Sequence, residues 1–155
     1  MRHYTYDRRL NWSECDPGGI IFFPHYARWM VDGLNEMFLS LGIDPNAPTG
    51  GNALGGLPVL GLSMKFLSAP ALHDTVSHHI TVTKVGGKSM AFQHRFLRGD
   101  ELLMEAEETR VWAEHPLGNP RALRTLQVPE HVRALLQQGA GDAGQIDNRT
   151  SKGNE

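Results

Sequence analysis

The chain contains almost no cysteine: Cys15 is the only one among 155 residues. A lone thiol cannot form an intramolecular disulfide, which excludes the disulfide-held scaffolds of small secreted domains. Long apolar runs are missing too, and none approaches the roughly 20 residues that a membrane-spanning helix needs. The first residues lack the apolar stretch of a signal peptide. We therefore expect a cytoplasmic protein without a membrane-spanning segment.

Net charge is also low. Its formal value is −2 at pH 7, with 40% hydrophobic and 21% charged residues. A nearly neutral chain is not a general binder of nucleic acid or of membrane surfaces, so any phosphate-binding site has to be local. The length suits one domain with a substantial core and leaves little room for a second domain.

Eight histidines invite the hypothesis of a metal site. His78 and His79 are adjacent in a segment that alternates like a strand, so their side chains should point to opposite faces of a sheet. The sequence has no pair of histidines four apart and no Cys/His cluster. We therefore predict no metal site and no cofactor.

Apolar residues follow two different periods in the first part of the chain. They alternate from residue 3 to residue 12, which predicts a strand. The side chains on one face of that strand are Tyr4, Tyr6, Leu10 and Trp12. From Pro24 the apolar residues recur at every third or fourth position up to Leu41, which predicts a long helix that ends at Gly42. The stripe is nearly as long as the helix, so the helix should lie across a sheet.

The middle of the chain predicts an antiparallel sheet. Residues 43–56 contain several Gly and Pro breakers and are expected to form a loop. Four alternating segments follow, and the links Gly86-Gly87 and Gly99-Asp100 are typical of hairpins. The alternation changes phase within residues 101–114, which predicts a bulge.

A short second helix is predicted from Pro129 to Gln138, with Gly139 ending it. Residues 139–155 are small and polar, and we expect them to form a disordered tail. The order of elements is thus strand, helix, then four or five antiparallel strands. We predict a single α+β domain over residues 1–138, in which one long helix is wrapped by a curled antiparallel sheet of five to six strands.

A turn with one carboxylate stands immediately before the long helix, and we call residues 15–21 the Asp16 turn. Pro17 fixes one backbone angle, whereas Gly18 and Gly19 permit positive φ and let a ligand approach the main chain. The start of a helix offers unpaired N–H groups and partial positive charge, which can polarise a carbonyl oxygen. Asp16 is therefore a candidate base or nucleophile, although the same residue types also form simple connecting turns.

The segment from Cys15 to Trp29, Cys-Asp-Pro-Gly-Gly-Ile-Ile-Phe-Phe-Pro-His-Tyr-Ala-Arg-Trp, resembles the signature of hotdog-fold acyl-CoA thioesterases of the 4-hydroxybenzoyl-CoA thioesterase type. The resemblance implies a hotdog domain in which Asp16 either attacks the thioester carbonyl or activates water. It also implies that the main-chain N–H of Phe23 polarises that carbonyl. The positions that it implies for contact with substrate are Gly19, Phe22, His25 and Tyr26.

Three positions depart from the family pattern. Phe23 stands where relatives usually carry Tyr or His, so a main-chain donor is kept without a side-chain donor. Val31 stands where hydroxybenzoyl-CoA relatives carry an aspartate, and Asp32 follows one residue later. In the hairpin that matches the coenzyme A phosphate-binding hairpin of these relatives, Gly86-Gly87 replaces a basic pair while the Lys-Ser that follows is kept. The coenzyme A contacts implied by the resemblance are Lys88 and Ser89, and Lys84 or arginines of a partner subunit are candidates to replace the missing basic pair.

Two other features near the Asp16 turn have simpler interpretations. Asp32 and Glu36 lie four residues apart on the predicted helix, and we expect them on its solvated face. Cys15 is expected to have a packing role, because a neighbouring carboxylate raises a thiol pKa and so disfavours the thiolate nucleophile.

The function implied by the resemblance is hydrolysis of an acyl-CoA to the free acid and coenzyme A, with an aromatic acyl group as the first expectation. The alternatives are a short-chain aliphatic acyl-CoA thioesterase, a hotdog hydratase or dehydratase, and a non-catalytic acyl-CoA-binding module. The expected partner is a small-molecule acyl-CoA, with neither nucleic acid nor membrane. Because one hotdog leaves sheet edges uncovered, we also predict a homodimer or homotetramer with active sites at subunit boundaries. The loop at residues 43–56 would then approach the neighbour's Asp16 turn.

Overall fold

The computed structural model describes residues 1–139. It contains helix α1 (Pro24–Ser40), helix α2 (Glu130–Gln137) and a 3-10 turn at Trp12–Glu14. The strands of the described residues are β1 (His3–Arg9), β2 (Pro48–Gly50), β3 (Ala53–Gly56), β4 (Val59–Phe66), β5 (Thr75–Val85), β6 (Ser89–Arg98), β7 (Glu101–Val111), β8 (Ala113–Pro116) and β9 (Arg124–Thr125).

Five of these strands form one antiparallel sheet in the order β1-β5-β6-β7-β4. Helix α1 lies across one face of this sheet and buries the apolar stripe that the sequence predicts. The buried residues of α1 are Tyr26, Trp29, Met30, Gly33, Leu34, Met37 and Phe38. The predicted α+β architecture, one long helix wrapped by an antiparallel sheet, is confirmed. Gly42 also ends the helical region as predicted, because it takes the left-handed conformation with φ of 73°.

The prediction that residues 43–56 form only a loop is wrong. They contain β2 and β3, which belong to a second antiparallel sheet in the order β2-β3-β8-β9. Ala53–Gly56 pairs with Ala113–Pro116, so long-range pairing imposes strand geometry on a glycine-rich segment with no alternation of its own. The buried Glu114 carboxylate holds this sheet together by accepting hydrogen bonds from Thr49 and Arg124.

The first strand is shorter than predicted and ends at Arg9 instead of residue 12. Leu10 is fully buried as expected, but Trp12 begins the 3-10 turn and is 82% exposed. The local cause is a capping box in which the Asn11 N–H donates to the Glu14 carboxylate at 3.0 Å. The alternation of apolar residues therefore stops at a capping signal.

Both predicted hairpins and the predicted bulge are confirmed. β5 pairs with β6, and β6 with β7, in antiparallel register. The β6–β7 register shifts at Phe96 and Leu97, and the β4–β7 register shifts between Val59 and Gly61. As a consequence, consecutive residues Leu103 and Met104 of β7 are both buried.

The core divides into two apolar clusters. One, beside α2, contains Phe38, Phe92 and Val132, and the other, beside the Asp16 turn, contains Tyr26 and Phe96. Between them runs a chain of polar side chains from β5, β6 and β7, which we call the buried polar row. Its members are His78, His94, Glu108 and Arg110.

No helix among the described residues is long and apolar enough to cross a membrane. Within the same residues, no three His, Cys, Asp or Glu side chains are grouped so that they could hold a metal ion. The predicted disordered tail, apart from Gly139, lies outside the described residues.

Candidate active site

The Asp16 turn is closed by its own backbone. The Asp16 N–H donates to the carbonyl of Ile20 at 2.9 Å, and the Gly19 N–H donates to the carbonyl of Asp16 at 3.0 Å. Gly19 has a φ of 80°, a conformation that favours glycine. The glycines of this segment therefore shape a specific turn rather than a flexible connector.

This turn also orients the Asp16 carboxylate. The Gly18 N–H donates to Asp16 Oδ1 at 2.8 Å, while Asp16 Oδ2 accepts no hydrogen bond from the described residues. A Cβ at Gly18 would lie 3.1 Å from Asp16 Oδ1, so a side chain there would crowd the carboxylate. The half-buried carboxylate is thus fixed through one oxygen and leaves the other available to a reacting group.

Helix α1 begins next to this turn. The Phe22 N–H donates to the carbonyl of Glu14 at 2.9 Å, and the N–H groups of His25 and Tyr26 donate to the carbonyls of Phe22 and Phe23. The Phe23 N–H, by contrast, finds no acceptor within residues 1–139. An unpaired N–H at the positive end of a helix is suited to polarise a carbonyl oxygen.

Glu14 fastens the turn to the helix, and sequence reasoning missed it. One carboxylate oxygen accepts the Asn11 N–H, and the other accepts the indole N–H of Trp29 in the first turns of α1. The spacing of Asn11 and Glu14 matches a capping box, which is the signal that would have identified this role.

A cavity of about 330 Å³ opens beside the turn and the start of α1. Its lining is mainly apolar and consists of Ile20, Ile21, Phe23, Tyr26, Phe66, Leu67, Ser68 and Ala69. The Tyr26 ring packs against Phe96, with 5.1 Å between ring centroids, and its buried hydroxyl has no hydrogen-bond partner among the described residues. Burial raises the pKa of Tyr26 to about 12, so this hydroxyl is neutral at physiological pH.

The structure brings together most of the residues predicted to contact substrate. Gly19 belongs to the turn, whereas Phe22, His25 and Tyr26 lie at the start of α1. Phe22 is half-exposed and meets the half-buried His25 edge to face, with 6.0 Å between ring centroids. Only Tyr26 of these four lines the apolar cavity.

The predicted coenzyme A contacts lie elsewhere in the chain. Lys84, Lys88 and Ser89 surround the β5–β6 hairpin. The Asp16 turn lies beside the opposite end of β5, where the Leu72 N–H donates to the carbonyl of Gly19. The nine residue-to-residue steps from Thr75 to Lys84 span about 30 Å at roughly 3.3 Å per step. One chain therefore does not bring the two groups of residues together.

Three side chains in or near the turn have the roles that their sequence context suggests. Asp32 is exposed and pairs with Arg8 at 3.5 Å, and Glu36 is exposed on the same helix. The pKa of Cys15 is raised by burial and by the charges of Asp16 and Glu14, so its thiol is not activated as a nucleophile.

The buried polar row is the second feature that the sequence analysis did not identify. His78 Nε2 lies 2.8 Å from His94 Nδ1, and His94 Nε2 lies 2.8 Å from a carboxylate oxygen of Glu108. Arg110 Nε donates to the other oxygen of Glu108 at 2.9 Å. Burial alone would raise the pKa of Glu108, but the hydrogen bonds that His94 and Arg110 donate, together with the positive charge of Arg110, lower it below its ordinary value. The row is thus anchored on an ionised carboxylate.

The row also has a direction. An ionised Glu108 only accepts, so the His94 Nε2 carries a proton, and in a neutral His94 the Nδ1 then accepts from His78 Nε2. This leaves His78 Nδ1 without a partner, facing Gly33 of α1. As the sequence predicts, His78 and His79 point to opposite faces, with His78 fully buried and His79 half-buried.

Comparison with known proteins agrees with this architecture. The thioesterase-like superfamily matches residues 10–136. The 4-hydroxybenzoyl-CoA thioesterase of Pseudomonas sp. (strain CBS-3) is 28% identical over 134 residues, which cover 83% of this chain and 93% of that protein.

Solved structures show the same fold. A 4-hydroxybenzoyl-CoA thioesterase variant with one aspartate replaced by asparagine, in complex with 4-hydroxybenzoyl-CoA, superposes with a TM-score of 0.74 at 23% identity over 88% of this chain and 99% of that one. A gentisyl-coenzyme A thioesterase superposes with a TM-score of 0.71 at 23% identity, over 84% and 99% of the two chains. The resemblance inferred from the Asp16 turn is confirmed at the level of the family, and the chain belongs to the thioesterase-like superfamily.

Proposed function

We propose that this protein hydrolyses acyl-CoA thioesters, consuming water and releasing a carboxylic acid and coenzyme A. The observation that carries the proposal is that a carboxylate with one unbound oxygen and an unpaired N–H at the helix start lie within one short segment, residues 16–23. Asp16 is fixed through Oδ1 and free at Oδ2, and the Phe23 N–H has no acceptor within the described residues. The same activity is in the names of the relatives described above.

In the proposed reaction, Asp16 Oδ2 either attacks the thioester carbon or removes a proton from the attacking water. Both routes place negative charge on the thioester oxygen. The Phe23 N–H, supported by the partial positive charge of the α1 start, would donate to that oxygen and lower the barrier. Asp16 and a main-chain amide supply the chemistry in this scheme, so it requires no cofactor.

We further propose an aromatic acyl group. The cavity beside the turn is lined by the rings of Phe23, Tyr26 and Phe66, which favour a flat apolar substituent. The relatives described above are named for benzoyl and gentisyl thioesters, both aromatic. Gly19, Phe22 and His25 would lie around the thioester end of the bound molecule.

The active form would be a homodimer or homotetramer in the cytoplasm, with each site shared between subunits. Strand β4 is an edge strand, and Leu60, Leu62 and Phe66 are between 46% and 67% exposed on it. An exposed apolar edge strand favours pairing with a second copy. Such pairing would let Lys84, Lys88 and Ser89 of one subunit bind the coenzyme A of a substrate held at the Asp16 turn of another subunit. Within one chain these residues lie too far from the turn to do so.

The test measures thiol release from a panel of aryl-CoA and alkyl-CoA esters by the wild-type protein, Asp16→Asn and Asp32→Asn. Asp16→Asn keeps the shape of the side chain but removes its charge, and we expect kcat to fall on the order of 10²-fold or more. Asp32→Asn removes an exposed carboxylate from α1 and should leave kcat unchanged.

Three results would contradict the proposal in different ways. Near-wild-type turnover by folded Asp16→Asn would show that another residue acts as the base or nucleophile. Tight binding without turnover of any ester would indicate an acyl-CoA-binding module. Faster turnover of short alkyl esters than of aryl esters would replace the aromatic acyl group with an aliphatic one.

A further inference from the structure

The Asp16 turn is held from outside by residues 70–74, which we call the support segment. The Leu72 N–H donates to the carbonyl of Gly19 at 3.1 Å, and the Ile21 N–H donates to the carbonyl of Pro70 at 3.2 Å. An isolated β-bridge lies between these two hydrogen bonds. The position of the turn therefore depends on the position of the support segment.

Asp74 determines the shape of the support segment. Its Oδ2 accepts the Ala71 N–H at 2.9 Å, which closes the segment on itself. The same oxygen accepts from Arg98 Nη1 at 2.7 Å, at the end of β6. These two interactions lower the pKa of Asp74, so the carboxylate is ionised at neutral pH. Its main-chain carbonyl also accepts the Leu10 N–H, at the end of β1.

The support segment is held in a conformation that its sequence does not favour. His73 is exposed, yet it has a φ of 73°, in the left-handed region that non-glycine residues rarely adopt. Its N–H donates to the carbonyl of Leu10 at 3.0 Å, and Arg9 Nη2 donates to its Nδ1 at 3.1 Å. Such strain persists only where surrounding contacts over-determine the backbone, and it clusters at functional sites.

Arg98 provides an internal comparison, because it binds two carboxylates. Its Nη1 contacts Asp74 at 2.7 Å, and its Nη2 contacts Glu101 at 2.6 Å. Both pairs are partly exposed, and exposed ion pairs contribute little to folding by themselves. Only the Asp74 carboxylate also binds the support segment. The Glu101 carboxylate, by contrast, makes no hydrogen bond to residues 70–74.

We propose that Asp74 is a positioning residue for catalysis, which acts by fixing the support segment and through it the Asp16 turn. The inference rests on the proposed thioesterase function, because it assigns Asp74 a part in placing the Asp16 carboxylate against the thioester. Small displacements of a reacting group are costly in rate, and a shift of about 1 Å can lower it on the order of 10²-fold.

The experiment compares Asp74→Ala with the matched truncation Glu101→Ala in the full-length protein. For Asp74→Ala we expect kcat to fall about 10-fold or more while KM changes less than about 3-fold, since the Asp16 carboxylate is displaced whereas the rings that line the acyl cavity, Phe23, Tyr26 and Phe66, lie outside the turn. Glu101→Ala should keep kcat within about 2-fold of wild type. Asp74→Asn keeps an acceptor for the Ala71 N–H and should recover most of kcat.

Hydrogen–deuterium exchange of peptides that cover residues 17–22 gives a second readout that does not need activity. Exchange should be faster in Asp74→Ala than in Glu101→Ala, with Asp74→Asn in between. If Asp74→Ala does not fold, Asp74→Asn against Glu101→Gln still provides the exchange comparison, because residues 17–22 should exchange faster in Asp74→Asn than in the Glu101 variant.

Equal kcat values for Asp74→Ala and Glu101→Ala, or equal exchange rates for the Asp74 and Glu101 variants, would overturn the inference. A wild-type protein that hydrolyses no acyl-CoA would instead contradict the proposed function, and in that case the exchange measurement still decides whether Asp74 holds the turn.

Discussion

The buried polar row should make folding stability depend on pH through His78. This side chain is fully buried, and its pKa is lowered from 6.5 to about 2, mainly by burial. The unfolded chain takes up a proton at this histidine as the pH falls below about 6.5, whereas the folded chain does not. The stability contributed by neutral His78 is therefore fully present above that pH and is lost as the pH falls.

The magnitude follows from the two pKa values. With a pKa of 6.5 in the unfolded state and about 2 in the folded state, the loss approaches about 1.4 kcal/mol per pH unit well below 6.5. Integrated between about pH 7.5 and about pH 5, it amounts to about 2 kcal/mol. The side chain is fully buried, so solvent screening does not reduce this value appreciably.

The assay is urea unfolding of wild type and His78→Gln at these two pH values, with equal protein concentrations. Glutamine keeps a donor for His94 Nδ1 but does not titrate, so His78→Gln should lose about 2 kcal/mol less than wild type between the two conditions. All other ionisable groups are present in both proteins, so the difference reports on His78 together with its hydrogen-bonded neighbour His94.

The control is His79→Gln, on the opposite face of the same strand. Burial lowers the pKa of His79 as well, but this side chain is only half-buried, so its replacement should change the pH dependence less. If wild type and His78→Gln lose the same free energy of unfolding between the two pH values, His78 is protonated in the folded protein and the reasoning fails.

Two further predictions concern the candidate site and its assembly. In steady-state kinetics, Phe23→Tyr should leave kcat nearly unchanged or slightly higher because the proposed donor is the main-chain N–H, whereas Phe23→Ala should raise KM because it removes a wall of the cavity. A large loss of activity in Phe23→Tyr would show that the ring fills a tight space. Analytical ultracentrifugation should show a dimer or tetramer, and Leu60→Lys on the exposed β4 edge should shift the protein toward monomer and lower its activity. An active monomer of 17.2 kDa would refute a site shared between subunits.

The sequence was informative where the local signal and the tertiary structure agree. The apolar period of α1, the hairpin glycines and the phase change in β7 each report a local geometry that packing preserves. The Asp16 turn was also predictable, because Pro17, Gly18 and Gly19 restrict or extend the backbone in ways that only a turn uses.

The features that escaped prediction depend on residues far apart in the chain. Strand β3 exists because β8 pairs with it, and nothing within residues 53–56 alternates to indicate that. The buried polar row joins side chains from three strands, and each histidine alone is indistinguishable from a surface residue. Asp74 likewise meets Arg98 only after the sheet has formed.

The division of the core has a consequence for engineering. Tyr26 and Phe96 belong to the cluster that borders the acyl cavity, whereas Val132 and Leu136 fasten α2 in the other cluster. The hydrogen-bonded row between them resists sliding, since any shift breaks bonds at His94 and Glu108. Cavity residues can therefore be exchanged for smaller or larger ones to accept new acyl groups, while the half of the domain beyond the row keeps its packing.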